Sequence, residues 1–256
     1  MHEIKINRSN LDTDLIIEQN PIIKIPDNRE INVIHKKVNN SNYTTIVYQD
    51  ITDKDNYFKV QKAFVSELKK YLKLTSDDSI LVIGLGNNKS TPDSLGPYTI
   101  EQILVTKYLF SLGDVEDGYS NVCSFTPNVT GNTGIETYDV IKCIIKETKV
   151  KKVLIIDALK TNDIQRLCKT IQITDNGISP GSGIGNKRKE ISKETLKIPV
   201  IAIGVPTVLN IKDLTKDDFI VTPTNIDFII ERLAHLLGNG INISLHKNFI
   251  RHNNYY

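Results

Sequence analysis

Apolar residues in this chain occur in two alternating patterns, one continuous and one with helical spacing. The continuous runs are short and rich in β-branched residues, which predicts strands, the longest of them buried on both faces of a sheet. The runs lie at 31–34, 44–48, 80–83, 122–125, 152–159, 199–204 and 219–221. Elsewhere apolar residues recur every three or four positions, which is typical of amphipathic helices. These predicted helices cover 57–72, 100–110, 135–145 and 225–237.

The alternation of strands and helices predicts an α/β fold with a mostly parallel sheet and helices on both faces. A segment at 165–173 changes from helical to extended character. Residues 1–30 show no period and contain one apolar cluster, at 15–17, so we predict a weakly structured arm there.

Two aspartates follow predicted buried strands. Asp93 lies in a polar loop after Gly84 and Gly86, and Asp157 closes the run that begins at Lys152. The carboxyl ends of parallel strands share one edge of a sheet, where ligands bind in open α/β folds. We therefore expect Asp93 and Asp157 to lie on one rim, although residues of this kind also serve as caps that bond to backbone amides.

A pair of neighbouring aspartates can hydrolyse an amide without a metal ion. Two like charges held close cannot both ionise, so the pair shares one proton at working pH. The ionised member takes a proton from water, and the protonated member donates to the carbonyl oxygen and then helps the amine leave. The pair titrates as a unit, and the sequence assigns neither role to either residue.

Composition and charge narrow the possible functions. The chain has 256 residues and a net charge of +2, which argues against a nucleic-acid surface as its main feature. No apolar run has the length that spans a bilayer, and no secretory signal begins the chain, so we expect an intracellular protein. The sequence contains no CxxC pair, so we interpret its three cysteines, Cys123, Cys143 and Cys168, as reduced thiols.

A glycine-rich loop at 181–189 leads into a basic cluster. Gly181, Gly183 and Lys187 are candidate contacts for a substrate or an anion, because backbone amides in such a turn can bind phosphate. A flexible connection with solvated charges explains the same residues. The five histidines show no metal-binding spacing, and HExxH is absent, so no metal site is expected.

Several long motifs together resemble the germination protease family of spore-forming Firmicutes. They follow one another in the family's order over about residues 78–210. The motifs are GLGN at 84–87, TPDSLGP at 91–97, TGIET at 133–137, IDAL at 156–159, TIQI at 170–173, GISPGSGIGNKRKE at 177–190 and IPVIAIGVPTV at 198–208.

The resemblance implies a fold similar to that of hydrogenase maturation proteases. It assigns the two catalytic aspartates to Asp93 and Asp157. It further implies an endopeptidase without metal or other cofactor that degrades small acid-soluble spore proteins in the spore core, made as an inactive zymogen and assembled as a tetramer. Neither a direct nucleic-acid partner nor a membrane is implied. One departure is Asn128, where the family tends to have glycine; asparagine tolerates a positive φ.

The segment 13–18, TDLIIE, resembles the cleavage pattern of the family. We therefore expect self-cleavage between Asp14 and Leu15, which divides the chain into a propeptide, 1–14, and a single protease domain, 15–256. Two other classes of protein stay open at this point. One is a metal-dependent maturation-type protease on the same fold, and the other is a non-catalytic module that binds anions through the loop at 181–189.

Overall fold

The computed structural model describes residues 30–181, 188–211 and 219–249. The strands in these ranges are β1 (Asn32–Val38), β2 (Ser41–Val47), β3 (Ser79–Gly84), β4 (Asn121–Phe125), β5 (Lys152–Thr161), β6 (Thr170–Thr174), β7 (Val200–Asn210) and β8 (Ile220–Val221). The helices are α1 (Lys54–Leu72), α2 (Leu95–Ile100), α3 (Lys107–Leu112), α4 (Thr130–Thr133), α5 (Thr137–Thr148), α6 (Lys193–Leu196) and α7 (Ile226–Leu245).

All of the described strands belong to one sheet. Its order is β1-β2-β6-β7-β5-β3-β4, with β8 paired to the far end of β7. The strands β7, β5, β3 and β4 are parallel, whereas β1, β2, β6 and β8 join the sheet through antiparallel pairs. The α/β class is confirmed, but the expectation of a mostly parallel sheet holds only for that four-stranded part.

A tight hairpin explains one antiparallel pair. Asn39 and Asn40 join β1 to β2 with φ angles of 47° and 71°. Two consecutive positive φ angles match the right-handed twist of paired strands, and asparagine adopts them more readily than most residues. A two-residue connection can only return the chain antiparallel to itself. Strand β1 therefore runs opposite to its neighbour β2.

Helices cover both faces of the sheet, as the alternating pattern predicts. One face packs against α1 and α7 through a core that includes Phe64, Leu68, Ile230 and Leu233. The other packs against α5 and α6 through a smaller core that includes Ile141. The central strands are apolar on both sides because each side meets a helical layer. None of the described helices combines the length and the apolar character that crossing a bilayer requires.

The predicted helix at 100–110 is wrong, because α2 ends at Ile100 and α3 begins only at Lys107. Between them, the buried side chain of Asn242 in α7 bonds to the main chain. Its amide donates to the carbonyl of Gln102 at 2.7 Å and accepts from the N–H of Leu104 at 2.9 Å. These bonds satisfy backbone groups that a continuous helix would have paired internally.

Candidate active site

Strand β3 lies at the point where the strand order of the sheet reverses. From β3 the chain passes through α2 on the larger core to reach β4 on one side. From β4 it crosses the opposite face through α5 to reach β5 on the other side of β3. The connections that leave β3 and β4 therefore separate to opposite faces and open a crevice beyond the end of β3. Ligands in open α/β folds bind at such a crevice.

The connection after β3 carries Asp93 on a single turn of 3-10 helix, Thr91–Asp93. The N–H of Asn87 donates to the carbonyl of Asp93 at 2.9 Å, which folds the loop back on itself. Gly86 makes this possible, because its φ is +115° and a Cβ there would lie 2.0 Å from the same carbonyl oxygen. Only glycine combines that backbone angle with such a close approach.

A second close contact sets the helix that follows Asp93 against the strand that precedes it. A Cβ added to Gly84 would lie 2.3 Å from the carbonyl oxygen of Gly96, and one added to Gly96 would lie 2.1 Å from that of Leu85. The end of β3 and the first turn of α2 therefore touch backbone to backbone. Together with the loop contacts, this places Asp93 at the rim beyond β3.

Asp157 reaches the same rim from within β5. The sequence predicted that Asp157 closes its strand, but β5 continues to Thr161 and stays paired with β7. The strand that ends here is β3, whose last pair is Gly84 with Ile156. Asp157 is therefore the first residue of β5 beyond its neighbour. Its side chain is 9% exposed, and the N–H of Ala158 donates to its carboxylate at 3.0 Å.

Both carboxyl groups are held toward their protonated forms. Burial raises the pKa of Asp93 to about 6, and the backbone amide of Asn87 offsets part of that effect. Burial also raises the pKa of Asp157 well above its usual range, and the charge of Asp93 raises it further. The amide of Ala158 acts in the opposite direction but does not overcome burial. Two carboxyl groups with perturbed and coupled pKa values in one crevice can exchange a proton with a bound substrate.

A comparison with models of protein families shows to which family this chain belongs. The model described as germination protease matches residues 4–219. The chain belongs to the germination protease family. It is 46% identical to the germination protease of Geobacillus sp. (strain WCH70) and 47% identical to that of Bacillus cereus (strain AH187), each over 206 residues.

The shared region covers 78% of this chain and 54% of each of these germination proteases. The chain thus spans about half the length of the curated relatives it matches. Among solved structures, the [NiFe] hydrogenase maturation protease HycI from Thermococcus kodakarensis KOD1 is similar with a TM-score of 0.37 and 16% identity. That likeness covers 68% of this chain and 98% of HycI.

The family motif at 177–190 does not bring an isolated positive patch to the site. Arg188 pairs with Glu136 at 3.7 Å, and Lys189 pairs with Asp139 at 2.8 Å. These carboxylates at the start of α5 neutralise the described members of the basic cluster, which weakens the anion-binding interpretation. Gly181 is described, with a φ of +70° that suits a glycine turn.

Several predicted site residues lie outside the described ranges. They are Asp14 and Leu15 of the expected self-cleavage site, and Gly183 and Lys187 of the glycine-rich loop. Of the sequence-predicted site residues that the structure does describe, it brings together Asp93 and Asp157.

Asparagines that the sequence analysis did not assign to the site connect its two loops. Asn128 has a φ of +63°, as expected of an asparagine that stands for glycine. The side chain of Asn132 donates to the side-chain oxygens of Asn128 at 3.0 Å and of Asn87 at 3.4 Å. The loop after β4 thereby contacts the loop that carries Asp93. Only the spacing of Asn128 and Asn132, four residues apart across the start of the short helix α4, hints at this from sequence.

The donor groups around the pair do not form a recognisable metal site. Across 30–181, 188–211 and 219–249, no three side chains of His, Cys, Asp or Glu gather in a way that could hold a metal ion. A catalytic zinc site usually needs three protein ligands, and two carboxylates alone fall short of that number.

Proposed function

We propose that this chain is an aspartic-type endopeptidase in which Asp93 and Asp157 act as the catalytic pair. The observation that carries the proposal is the coupling of these two carboxyl groups. Asp93 reaches the crevice from the connection after β3, and Asp157 reaches it from within β5. Both pKa values are raised, and Asp93 raises that of Asp157. Membership of the germination protease family supports a peptidase, and the geometry supplies a mechanism for one.

The mechanism needs only the pair and one water molecule. The ionised carboxylate removes a proton from water as its oxygen attacks the peptide carbonyl carbon. The protonated carboxyl group gives its proton to the carbonyl oxygen, and the tetrahedral intermediate forms. When the C–N bond breaks, the amine leaves with a proton from the pair. A hydroxyl of the tetrahedral intermediate returns its proton to the pair as the new carboxyl group forms, so the pair ends with one shared proton as it began.

The proposed substrates are small acid-soluble spore proteins in the spore core, where such a protease acts during germination. The proposal rests on similarity to germination proteases across 78% of this chain. Substrate cleavage by this shorter chain is open to direct measurement. Incubation with a purified spore protein, followed by mass spectrometry of the fragments, identifies the bonds that are cut.

A zymogen that cuts itself between Asp14 and Leu15 is compatible with the sheet topology. Cross-strand pairs lead from Asp157 in β5 to Gly204 in β7. They continue from Gly204 to Gln172 in β6, from Gln172 to Thr45 in β2, and from Thr45 to Ile34 in β1. These pairs place Ile34 of β1 four strands from Asp157, or about 19 Å. Strand β1 begins at the catalytic edge, because it is antiparallel to β7.

The chain between the proposed cleavage site and β1 is long enough to reach the crevice. An extended chain covers about 3.3 Å per residue, so the segment from Leu15 to Ile34 can span up to about 60 Å. Amino-terminal sequencing of the matured protein, beside an Asp93→Asn control, tests the cut. A chain that degrades spore proteins while it still begins at Met1 would overturn the zymogen proposal.

A homotetramer is also proposed from the family. Helix α3 begins directly after Thr106, whose N–H donates to the carbonyl of Val122 in the edge strand β4. The helix exposes Tyr108 by 60% and Leu112 by 75%, which provides apolar surface for a contact between subunits. Light scattering of the purified chain gives its mass in solution. A monomer at all concentrations would overturn the tetramer while leaving the catalytic proposal intact.

The decisive experiment compares four samples in one spore-protein assay. They are the unchanged chain, the same chain with excess chelator, and the Asp93→Asn and Asp157→Asn variants. Each asparagine preserves the shape of the side chain but cannot exchange the proton, so we expect both variants to lose activity and the chelated sample to keep it. Loss of activity on chelation, restored by a divalent ion, would instead identify a metal-dependent protease.

A further inference from the structure

The separation of Asp93 and Asp157 depends on how the loop after β3 is attached to the sheet. Within the loop, the N–H of Asp93 donates to the carbonyl of Ser90 at 2.8 Å, and its carbonyl accepts from Asn87. Both partners belong to the same loop. These bonds give the loop its shape but do not fix its position relative to β5, which carries Asp157.

A threonine of β7 provides that attachment. The hydroxyl of Thr207 donates to the carbonyl of Pro92 at 2.7 Å, and Thr207 is 1% exposed. The Pro92 carbonyl belongs to the peptide unit that joins Pro92 to Asp93. This hydrogen bond links a strand of the sheet directly to the main chain that precedes Asp93.

An irregularity in the sheet gives Thr207 this position. Leu159 of β5 is paired with Pro206, but the next residue, Lys160, is paired with Val208. Thr207 is therefore the extra residue of a bulge. Bulges occur next to active sites because they turn a side chain away from the regular alternation of a strand. The same strand pairs Gly204 directly with Asp157, so Thr207 joins the Asp93 turn to the strand next to the second aspartate.

We propose that Thr207 is a positioning residue that holds Asp93 at its working distance from Asp157. The inference rests on the proposed two-aspartate mechanism. Thr207 itself touches neither carboxyl group in this scheme. It acts through the peptide unit that precedes Asp93, and the bulge at Thr207 serves to aim its hydroxyl at that unit.

The test is the substitution Thr207→Val, which keeps the shape of the side chain and removes the hydroxyl. Misplacement of a catalytic group by about 1 Å lowers turnover by about a hundredfold, so we expect kcat to fall by about ten- to hundredfold. KM should change little, because Thr207 makes no proposed contact with substrate. Thr207→Ser keeps the donor and should restore most of the turnover.

The pH profile separates positioning from general loss of stability. If Asp93 moves away from Asp157, their repulsion weakens, and the second proton of the pair leaves at lower pH. The alkaline limb of the kcat profile should therefore shift to lower pH in Thr207→Val. Thr44→Val is the matched control, because Thr44 is 1% exposed and its hydroxyl bonds to Tyr71 at 2.9 Å, two strands from β7. The Thr44→Val variant should lose stability without a shift in the alkaline limb of the kcat profile.

The outcomes decide the inference. A folded Thr207→Val variant with unchanged kcat and pH profile would overturn the positioning role of Thr207. If the valine variant does not fold, Thr207→Ala takes its place and is judged by the same criteria. The Asp93→Asn variant is assayed in parallel. Activity retained in Asp93→Asn would end the proposed mechanism itself, whereas an inactive Asp93→Asn beside a normal Thr207→Val would end only the role of Thr207.

Discussion

The charge of Asp93 raises the pKa of Asp157, although Asp93 lies on the connection after β3 and Asp157 lies within β5. This coupling arises because β3 ends opposite Ile156 while β5 continues past it. The crevice beyond β3 is the place where a loop residue and a strand residue can face each other.

Activity should follow a bell-shaped pH profile, and its acid limb should lie near the pKa of Asp93, which is about 6. Below that pH both carboxyl groups are protonated and no base remains. Far above it the pair loses its shared proton, but burial and repulsion delay this loss at Asp157. Initial rates against a spore protein across pH 4 to 10 test the profile. A rate that rises steadily into alkaline pH would contradict a shared proton.

Asp157→Asn should make the protein more stable at neutral pH while it abolishes activity. The folded state raises the pKa of Asp157, so between the unfolded and folded pKa values the native state binds more protons than the unfolded state. The free energy of unfolding therefore falls as pH rises through this window. The asparagine side chain does not ionise, so the variant does not lose this stability as the pH rises. Urea unfolding at pH 5 and pH 8 measures it, and an equal effect of the variant at both pH values would contradict the assignment.

Gly86→Ala should abolish activity and lower stability, because the added Cβ would lie 2.0 Å from the carbonyl oxygen of Asp93 at a φ of +115°. The matched control is Gly113→Ala. Gly113 also has a positive φ, +73°, but a Cβ there meets no atom within 4 Å. The control should cost about 1 kcal/mol of stability and leave turnover intact. An active Gly86→Ala variant would contradict this prediction, because the loop that carries Asp93 would then tolerate a Cβ at position 86.

His246 should make the protein less stable as pH falls below about 6.5. His246 is 1% exposed, its Nδ1 accepts from the N–H of Ser120 at 3.2 Å, and Nε2 donates to the carbonyl of Leu104. Burial lowers the pKa of His246, so the unfolded state takes up a proton first as the pH drops from 6.5 toward the folded pKa. Stability is present above that window and lost within it.

The control for this prediction is His246→Gln, which keeps a polar group but does not titrate. The difference in the free energy of unfolding between the two proteins, measured from pH 7.5 to pH 5, isolates His246 from the aspartates. The difference should shrink as the pH falls. A constant difference would mean that the protonation of His246 is not linked to folding.

Asn242→Leu should lower the free energy of unfolding by about 2 to 4 kcal/mol, because it leaves the carbonyl of Gln102 and the N–H of Leu104 without their partner. Chemical denaturation measures the loss. The exposed residue His235 lies on the same helix, and His235→Leu should change stability by less than about 0.5 kcal/mol. Equal effects of the two substitutions would contradict the role given to Asn242.

Local pattern was enough to predict the strands β3 and β5 and that Asp93 and Asp157 lie on one rim of the sheet. The runs at 80–83 and 152–159 became β3 and β5 because a strand that is apolar on both sides has no stable place outside a covered sheet. The glycines around Gly84 correctly marked the turn that leads to Asp93. The same reasoning failed at 100–110, where apolar spacing favours a helix but a distant asparagine, Asn242, interrupts it.

The sequence by itself determined which segments form the buried strands β3 and β5 and that Asp93 and Asp157 lie close to them, because these features depend on neighbours along the chain. Only the tertiary structure decided the rest. Whether β3 or β5 ends at the crevice, how Thr207 meets Pro92 and where β1 begins all depend on pairing between segments far apart in sequence. A strand pattern states that a segment pairs, but the partner and the register come from the sheet as a whole.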